Sequence, residues 1–202
     1  PLDRGHLIRR LDPCWGSREE AEQANRDSMY FPNIAPQHKD LNQKVWLDLE
    51  DHILGLTDDR NAKVSVFVGC LFDENDPPHK STGIRVPMGF WKVVASLGSC
   101  GRGSRRRASL QAQAFVLRQD HLVRDSDLEI VFGSGFETFQ LPVEELERMT
   151  GLDFHRLRHA DTLRVDDEMR EAMVAETVSS ERPYAPVSDL VVPIREVEDV
   201  VV

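Results

Sequence analysis

PLDRGHLIRRLDP (residues 1–13) joins an Asp-Arg-Gly-His cluster to further arginines, and YFPNIAPQHKDLNQKVWLDLED (residues 30–51) follows it closely. The second stretch has helical periodicity, because apolar residues recur at every fourth position: Leu41, Val45, Leu49 and Ile53. We therefore predict an amphipathic helix from Asp40 to about Ile53, ended by Gly55. A cationic segment with one histidine thus precedes this helix in the chain.

The polar face of this helix carries Asn42, Trp46 and Glu50, which are spaced four residues apart. Eight residues of helix rise about 12 Å, so Asn42 and Glu50 are too far apart to bind one metal ion directly together. Helical side chains lean toward the N-terminus, and Glu50 could instead hold a metal-bound water. One amide oxygen with water as the other ligands suits Mg²⁺. Taken alone, the pair is more typical of a solvated surface.

The rest of the chain mixes helices and strands. Ser17 and Glu20 have capping-box spacing, which predicts a short exposed helix. LPVEELERMTG (residues 141–151) has proline at the first helical position and glycine after the last, which predicts another helix. Three apolar runs predict strands: KVSVFVGCLF (63–72), FWKVVASL (90–97) and QAQAFVLRQ (111–119). We expect an α+β fold.

The charge of the chain restricts how it can meet a polyanion. The 202 residues carry a formal net charge of −10, which repels nucleic acid at long range unless positive charge is concentrated locally. It is concentrated near the opening motif, at Arg4, Arg9 and Arg10, and again in GRGSRRRAS (residues 101–109). The second cluster is either a nucleic-acid contact or a protease-sensitive hairpin tip.

Three cysteines and the absence of long apolar runs set further limits. Cys14, Cys70 and Cys100 are odd in number and widely spaced, so they form neither a disulfide framework nor a zinc knuckle, although one disulfide remains open. Reduced thiols favour a cytoplasmic over a secreted location. No apolar run reaches the ~18–20 residues of a membrane helix, so we expect no membrane partner.

The motifs resemble one family over roughly residues 1–156: the DNA/RNA non-specific endonucleases of the ββα-metal (His-Me finger) class, which includes endonuclease G. The resemblance rests on Asp3-Arg4-Gly5-His6, on PNIAPQ with Asn33, and on LN followed by WLDLE, with Asn42 and Glu50. VPMGFWKVV, AFVLRQ and VEELERMTGLDF follow in the order of the family's later strands and closing helix. It implies a ββα-metal finger on a central, mostly antiparallel β-sheet flanked by helices.

The resemblance also implies a mechanism and its residues. His6 is expected to act as the general base that deprotonates water. Asn42 is expected to bind Mg²⁺, with Mn²⁺ as a substitute, and Glu50 to orient the metal's waters. Arg4 is expected to donate hydrogen bonds to the scissile phosphate. Asn33 is expected to pin the loop that carries His6. The set of catalytic residues is thus His6, Arg4, Glu50 and Asn33.

The function expected from this reading is a Mg²⁺-dependent, sequence-non-specific endonuclease that hydrolyses phosphodiester bonds in DNA and RNA, and acts as a homodimer. The residues expected to contact nucleic acid are Arg4, Arg9, Arg105, Arg106 and Arg107. The alternative is a catalytically weak binding or effector module with a nuclease fold, restrained by a regulator.

The domain organisation is expected to place the nuclease domain at residues 1–156 and an acidic extension at 157–202, which is a candidate docking segment for a regulator. A finger histidine needs a paired strand before it, and only Pro1 and Leu2 precede Asp3. We therefore expect further strands upstream of Pro1, supplied by residues absent from this sequence or by a separate chain.

Overall fold

The computed structural model describes residues 2–39, 49–51, 53, 55, 63–100, 107–119, 137–163 and 192–194. The strands are β1 (Leu2–His6), β2 (Ile34–His38), β3 (Val64–Leu71), β4 (Gly89–Cys100), β5 (Arg107–Arg118), β6 (Glu137–Leu141) and β7 (Val192–Ile194). The helices are α1 (Arg18–Asp27) and α2 (Val143–Thr150), with 3₁₀ turns at Phe31–Asn33 and His155–Ala160. The predicted α+β class and the three predicted strands are confirmed.

The strands form two sheets. β1 and β2 pair antiparallel, with Gly5 opposite Ala35 and His6 opposite Ile34. The other sheet has five strands in the order β3-β4-β5-β6-β7, and its β6–β7 pair is antiparallel. β1 and β2 are therefore a separate ribbon within the described part of the chain, and this ribbon carries the Asp-Arg-Gly-His motif.

Helix α1 begins where the capping box predicts. The Ser17 hydroxyl accepts a hydrogen bond from the Glu20 backbone N–H, and the Glu20 carboxylate accepts one from the Ser17 backbone N–H. These hydrogen bonds hold the pKa of Glu20 below its usual range. No residue of α1 is buried, which confirms the prediction of an exposed helix.

Helix α2 begins one residue later than predicted. Pro142 is the N-cap in extended conformation rather than the first helical residue, and it has no side chain that could cap the helix. Asp161 supplies the missing acceptor, because its Oδ2 accepts from the Val143 N–H at 2.6 Å. Burial raises the pKa of Asp161, which this hydrogen bond only partly offsets. Gly151 ends the helix with a φ of 69°, as predicted for its C-terminal glycine.

The helix predicted from Asp40 is described at Lys39, just before its predicted start, and toward its predicted end. Residues 49–51, 53 and 55 are helical, and both described members of the apolar stripe, Leu49 and Ile53, are buried. Leu41 and Val45 lie outside the described residues. Gly55 is itself helical, and residues 56–62 lie outside the described residues, so the predicted end of the helix at this glycine stays a prediction.

The chain divides into two compact units. The first consists of Pro1–His52, Val68–Trp91 and Leu117–Glu137, and the second of Ile53–Phe67, Lys92–Val116 and Thr138–Val202. Buried apolar residues of the first unit include Leu7, Ala35, Leu49, Val86, Met88 and Phe90. Those of the second include Val93, Val94, Phe115, Leu141, Val143, Leu146 and Leu163. Each unit therefore contains buried apolar residues, whose removal from water stabilises it.

Within the first unit, the buried side chain of Gln119 joins the β1–β2 ribbon to the strands of the larger sheet. Its Oε1 accepts from the His38 N–H at 2.7 Å. Its Nε2 donates to the Pro36 carbonyl at 3.2 Å and to the Pro87 carbonyl at 2.6 Å. One amide thereby satisfies three backbone groups, two on β2 and one just before β4.

We expect Gln119→Leu to lower the free energy of unfolding by on the order of 3–5 kcal/mol. Leucine has a similar size but leaves the His38 N–H and two proline carbonyls without their partner, at about 1–3 kcal/mol each. Urea unfolding of both proteins measures the change. Gln23→Leu on the exposed face of α1 is the control and should change stability by less than about 0.5 kcal/mol. Equal losses for the two variants would contradict the role of Gln119.

Residues beyond the predicted boundary at 156 contribute to the second unit. The Thr162 N–H donates to the Ala112 carbonyl at 3.0 Å, Leu163 is buried, and Val192–Ile194 pairs with β6. The boundary itself stays a prediction, as do the additional strands expected upstream of Pro1. In the described part of the chain, we find no helix long and apolar enough to cross a bilayer.

Candidate active site

The β1–β2 ribbon has two unlike faces, and strand alternation places Arg4 and His6 on the same one. Arg4 is exposed and His6 is half-buried, whereas Gly5 between them is buried on the other face. Residues two apart on one strand face are about 7 Å apart along the strand. The Arg4 guanidinium and the His6 imidazole are therefore neighbours on a solvent-accessible face, close enough for both to contact the same phosphate group.

The opposite face explains the glycine of the motif. A Cβ atom on Gly5 would lie 1.8 Å from the Oε1 atom of Gln37, whose side chain is fully buried. Neither polar atom of the Gln37 amide has a hydrogen-bond partner among the described residues. The glycine therefore permits a buried amide to pack directly beneath the strand that carries Arg4 and His6.

Asn33 fixes the segment that follows His6. Its Oδ1 accepts from the Ile8 N–H at 2.8 Å, and its Nδ2 donates to the carbonyls of Ile8 and Ser28 at 2.9 Å each. Its backbone carbonyl accepts from the Leu7 N–H at 2.9 Å. Residues 7 and 8 are thereby held from a point 25 residues further along the chain.

The described neighbour of the His6 ring comes from the turn before β2. His6 Nε2 lies 3.4 Å from the Sδ atom of Met29, at the edge of an exposed segment. A thioether is a weak acceptor and cannot compete strongly with water for the ring nitrogen. Among the described residues, His6 Nε2 is therefore not engaged by a strong acceptor.

Arg9 links the segment after His6 to the helix that carries Glu50. Its Nε donates to Asp12 at 2.8 Å and its Nη1 to Asp51 at 2.7 Å, across 42 residues. Burial lowers the pKa of Arg9, but the hydrogen bonds to both carboxylates outweigh it, and the net pKa is raised. Two of the three guanidinium nitrogens are thus engaged within the protein. The predicted contact of Arg9 with nucleic acid stays a prediction.

The remaining predicted site residues are distributed as follows. Glu50 is buried and helical, next to Asp51, in the same unit as His6, Arg4 and Asn33. Arg107 begins β5. The proposed metal ligand Asn42, together with Arg105 and Arg106, lies outside the described residues. Within the described ranges, no group of three or more His, Cys, Asp and Glu side chains is arranged to hold a metal.

Both cysteines whose side chains are described are free. Cys14 is half-buried, and its thiol donates to the Arg10 carbonyl at 3.3 Å. Burial raises the pKa of Cys70 to about 11, so its thiol is protonated near neutral pH and is a poor nucleophile.

Known proteins are similar to this chain over most of its length. Residues 1–161 match the family of DNA/RNA non-specific endonucleases. The chain belongs to this family. The match includes all the motifs of the β1–β2 ribbon and the helix after it, and it extends slightly past the boundary predicted at residue 156.

Several relatives of this endonuclease family member are nucleases by name. A nuclease of Nostoc is 27% identical over 158 residues, covering 75% of this chain and 50% of its own length. Human mitochondrial endonuclease G is 28% identical over 163 residues, covering 76% and 48%. An uncharacterized protein of Sinorhizobium fredii is 37% identical over 160 residues, covering 76% and 23%. The chain spans half or less of the length of these relatives.

The sequence did not predict three features that shape the candidate site around His6. Gln119 ends one of the predicted strands, and no local signal indicates that its amide reaches β2. Gln37 lies inside the PNIAPQ motif, where alternation along β2 could have placed it on the buried face. Met29 gave no signal, because its contact with His6 depends on how the preceding turn folds.

Proposed function

We propose that this chain is the catalytic part of a Mg²⁺-dependent endonuclease that hydrolyses phosphodiester bonds in DNA and RNA without sequence specificity. The observation that carries the proposal is the shared, accessible face of Arg4 and His6 on a strand whose following residues, 7 and 8, are held by Asn33. Contacts to the phosphate backbone alone would read neither base nor sugar, which accounts for low selectivity.

The chemistry proposed for these residues is a direct displacement at phosphorus. His6 accepts a proton from a water molecule, and the water oxygen forms a bond to phosphorus while the bond to the 3′ oxygen breaks. Arg4 donates charge-assisted hydrogen bonds to the non-bridging oxygens, which gain negative charge in the transition state. Asn33 keeps His6 in place through residues 7 and 8.

Asn42 and Glu50 are the residues proposed to hold the metal. Glu50 is buried, and the Arg9–Asp51 ion pair links its helix to the segment after His6. A buried carboxylate held in this way is suited to orienting a metal-bound water. Asn42 is proposed to contribute its amide oxygen. When bound, Mg²⁺ would supply positive charge to the phosphate and to the leaving oxygen.

A plasmid-nicking assay tests the proposed function. Supercoiled plasmid and a single-stranded RNA are incubated with the protein in Mg²⁺, in Mn²⁺ and in EDTA. We expect nicked and linear plasmid and shortened RNA with either metal, and intact substrates in EDTA. A shift of the intact plasmid in a gel, with no nicking in any metal, would contradict the proposal and favour the binding or effector module.

The arginine cluster gives a separate prediction about binding. If Arg105, Arg106 and Arg107 contact phosphates, replacing all three by Ser should weaken binding to every sequence alike. The plot of log affinity against log salt should lose up to about three units of slope. Arg18→Ser is the control. Arg18 is an arginine that is 90% exposed and already paired with Glu22, so its replacement should leave the slope unchanged. An unchanged slope in the triple variant would mean that the cluster does not contact nucleic acid.

The assembly is also proposed rather than observed. We propose a homodimer and a regulator that binds the acidic residues after 157, and sedimentation of the purified protein measures the first. A concentration-independent monomer would contradict the dimer.

A further inference from the structure

An exposed aromatic turn adjoins His6. Tyr30 is 64% exposed, Phe31 is 90% exposed, and Met29 just before them is the residue whose Sδ atom lies 3.4 Å from His6 Nε2. Consecutive Cα atoms are about 3.8 Å apart, so the aromatic pair starts one residue from the side chain that touches the candidate base. None of the three contributes to the apolar core.

The turn that carries this pair is held by hydrogen bonds at both ends. The Tyr30 N–H donates to the Asp27 carbonyl at 3.1 Å, and the Asn33 N–H donates to the Tyr30 carbonyl at 2.9 Å. The Ile34 N–H donates to the Phe31 carbonyl, and Pro32 restricts the backbone between them. Asn33 therefore fixes both the segment after His6 and the aromatic turn.

The two aromatic rings of this turn are exposed to water, so they do not stabilise the fold by packing in its core. Exposed apolar side chains scattered singly are ordinary, but contiguous exposed apolar surface usually marks an interaction site. The backbone is already ordered, so a ligand that stacks on the rings would lose little binding energy in fixing their position. The neighbouring Arg4 on the His6 face supplies the positive charge that a nucleotide phosphate requires.

We propose that Tyr30 and Phe31 form a stacking platform for a nucleobase next to the phosphate that Arg4 and His6 engage. This rests on the proposed function, because the scissile phosphate is what places a base beside the turn. Every base has a π face, so stacking strengthens binding without selecting sequence. Bases in a duplex are already stacked on each other. The platform therefore favours single-stranded or locally unpaired substrate.

Binding measured in EDTA tests the platform without cleavage. The probes are a fluorescently labelled oligothymidylate and an oligomer of the same length and charge in which every residue is abasic. We expect Phe31→Ala to weaken binding of oligothymidylate on the order of 5- to 150-fold and to leave binding of the abasic oligomer unchanged. Phe31→Trp should again bind oligothymidylate more tightly than the abasic oligomer.

Phe72→Ala is the matched control, because Phe72 is also an exposed phenylalanine, at 61%, but follows β3 rather than adjoining His6. It should bind both probes like the unaltered protein. An equal loss on both probes for Phe31→Ala, or no loss on either, would overturn the platform. A dimer that becomes a monomer in Phe31→Ala would also overturn it, by assigning the turn to contact between two copies.

The platform and the proposed function can fail separately. If the protein cleaves plasmid in Mg²⁺ but Phe31→Ala does not distinguish the probes, the nuclease assignment stands and the platform is wrong. If the protein cleaves nothing but discriminates between the probes through Phe31, the platform stands and the catalytic proposal is wrong.

Discussion

His6→Ala should lower the rate of plasmid nicking in Mg²⁺ by at least about 10²–10⁴-fold. The imidazole is the proposed acceptor of the water proton. Alanine cannot accept the proton, so the reaction would depend on bulk water as the base. The measurement is the initial rate of nicking at saturating Mg²⁺.

Two controls separate catalysis from folding in this variant. His6 is only half-buried and its described contact is the weak one with Met29, so the midpoint of thermal unfolding should stay close to that of the unaltered protein. His155→Ala replaces a histidine whose side chain is 81% exposed and should nick at the normal rate. Near-normal nicking by His6→Ala would remove His6 from the mechanism.

Asn42→Ala and Glu50→Gln should differ in how they respond to Mg²⁺. Glu50→Gln should slow cleavage by about 10–100-fold while the Mg²⁺ concentration for half-maximal rate stays nearly the same, because Glu50 is proposed to act through bound water. Asn42→Ala should raise that Mg²⁺ concentration and slow cleavage further, because it removes the proposed direct ligand. Titrating the nicking rate against Mg²⁺ for both variants measures the two effects.

A solvent-exposed carboxylate on helix α1 provides the control for this pair. Glu22→Gln lies on exposed helix α1 and should leave both the rate and the Mg²⁺ response unchanged. If Asn42→Ala and Glu50→Gln lost the same affinity for Mg²⁺, both side chains would bind the metal directly. The inference that eight residues of helix place Asn42 and Glu50 too far apart to bind one metal ion directly would then be wrong.

Local sequence patterns predicted most of the elements, because their causes lie within a few residues. The capping box of Ser17 and Glu20 and the left-handed Gly151 act on adjacent backbone groups, and the structure has both where predicted. The start of α2 was misplaced by one residue because its N–H acceptor is Asp161, 18 residues away. Helix ends that depend on distant acceptors are not visible in a local window.

The motif residues also indicated which side chains would share a site, since alternation along β1 alone places Arg4 and His6 on one face. The sequence by itself therefore determined the class of fold, the family and the face shared by Arg4 and His6, which is the proposed site of the chemistry. Only the tertiary structure decided how that face is held. The Asn33–Ile8 hydrogen bonds span 25 residues, the Arg9–Asp51 pair spans 42, and the bond from His38 to Gln119 spans 81. Such contacts form between groups whose separation in sequence carries no periodic signal, because the folded backbone and not the local chain brings them together.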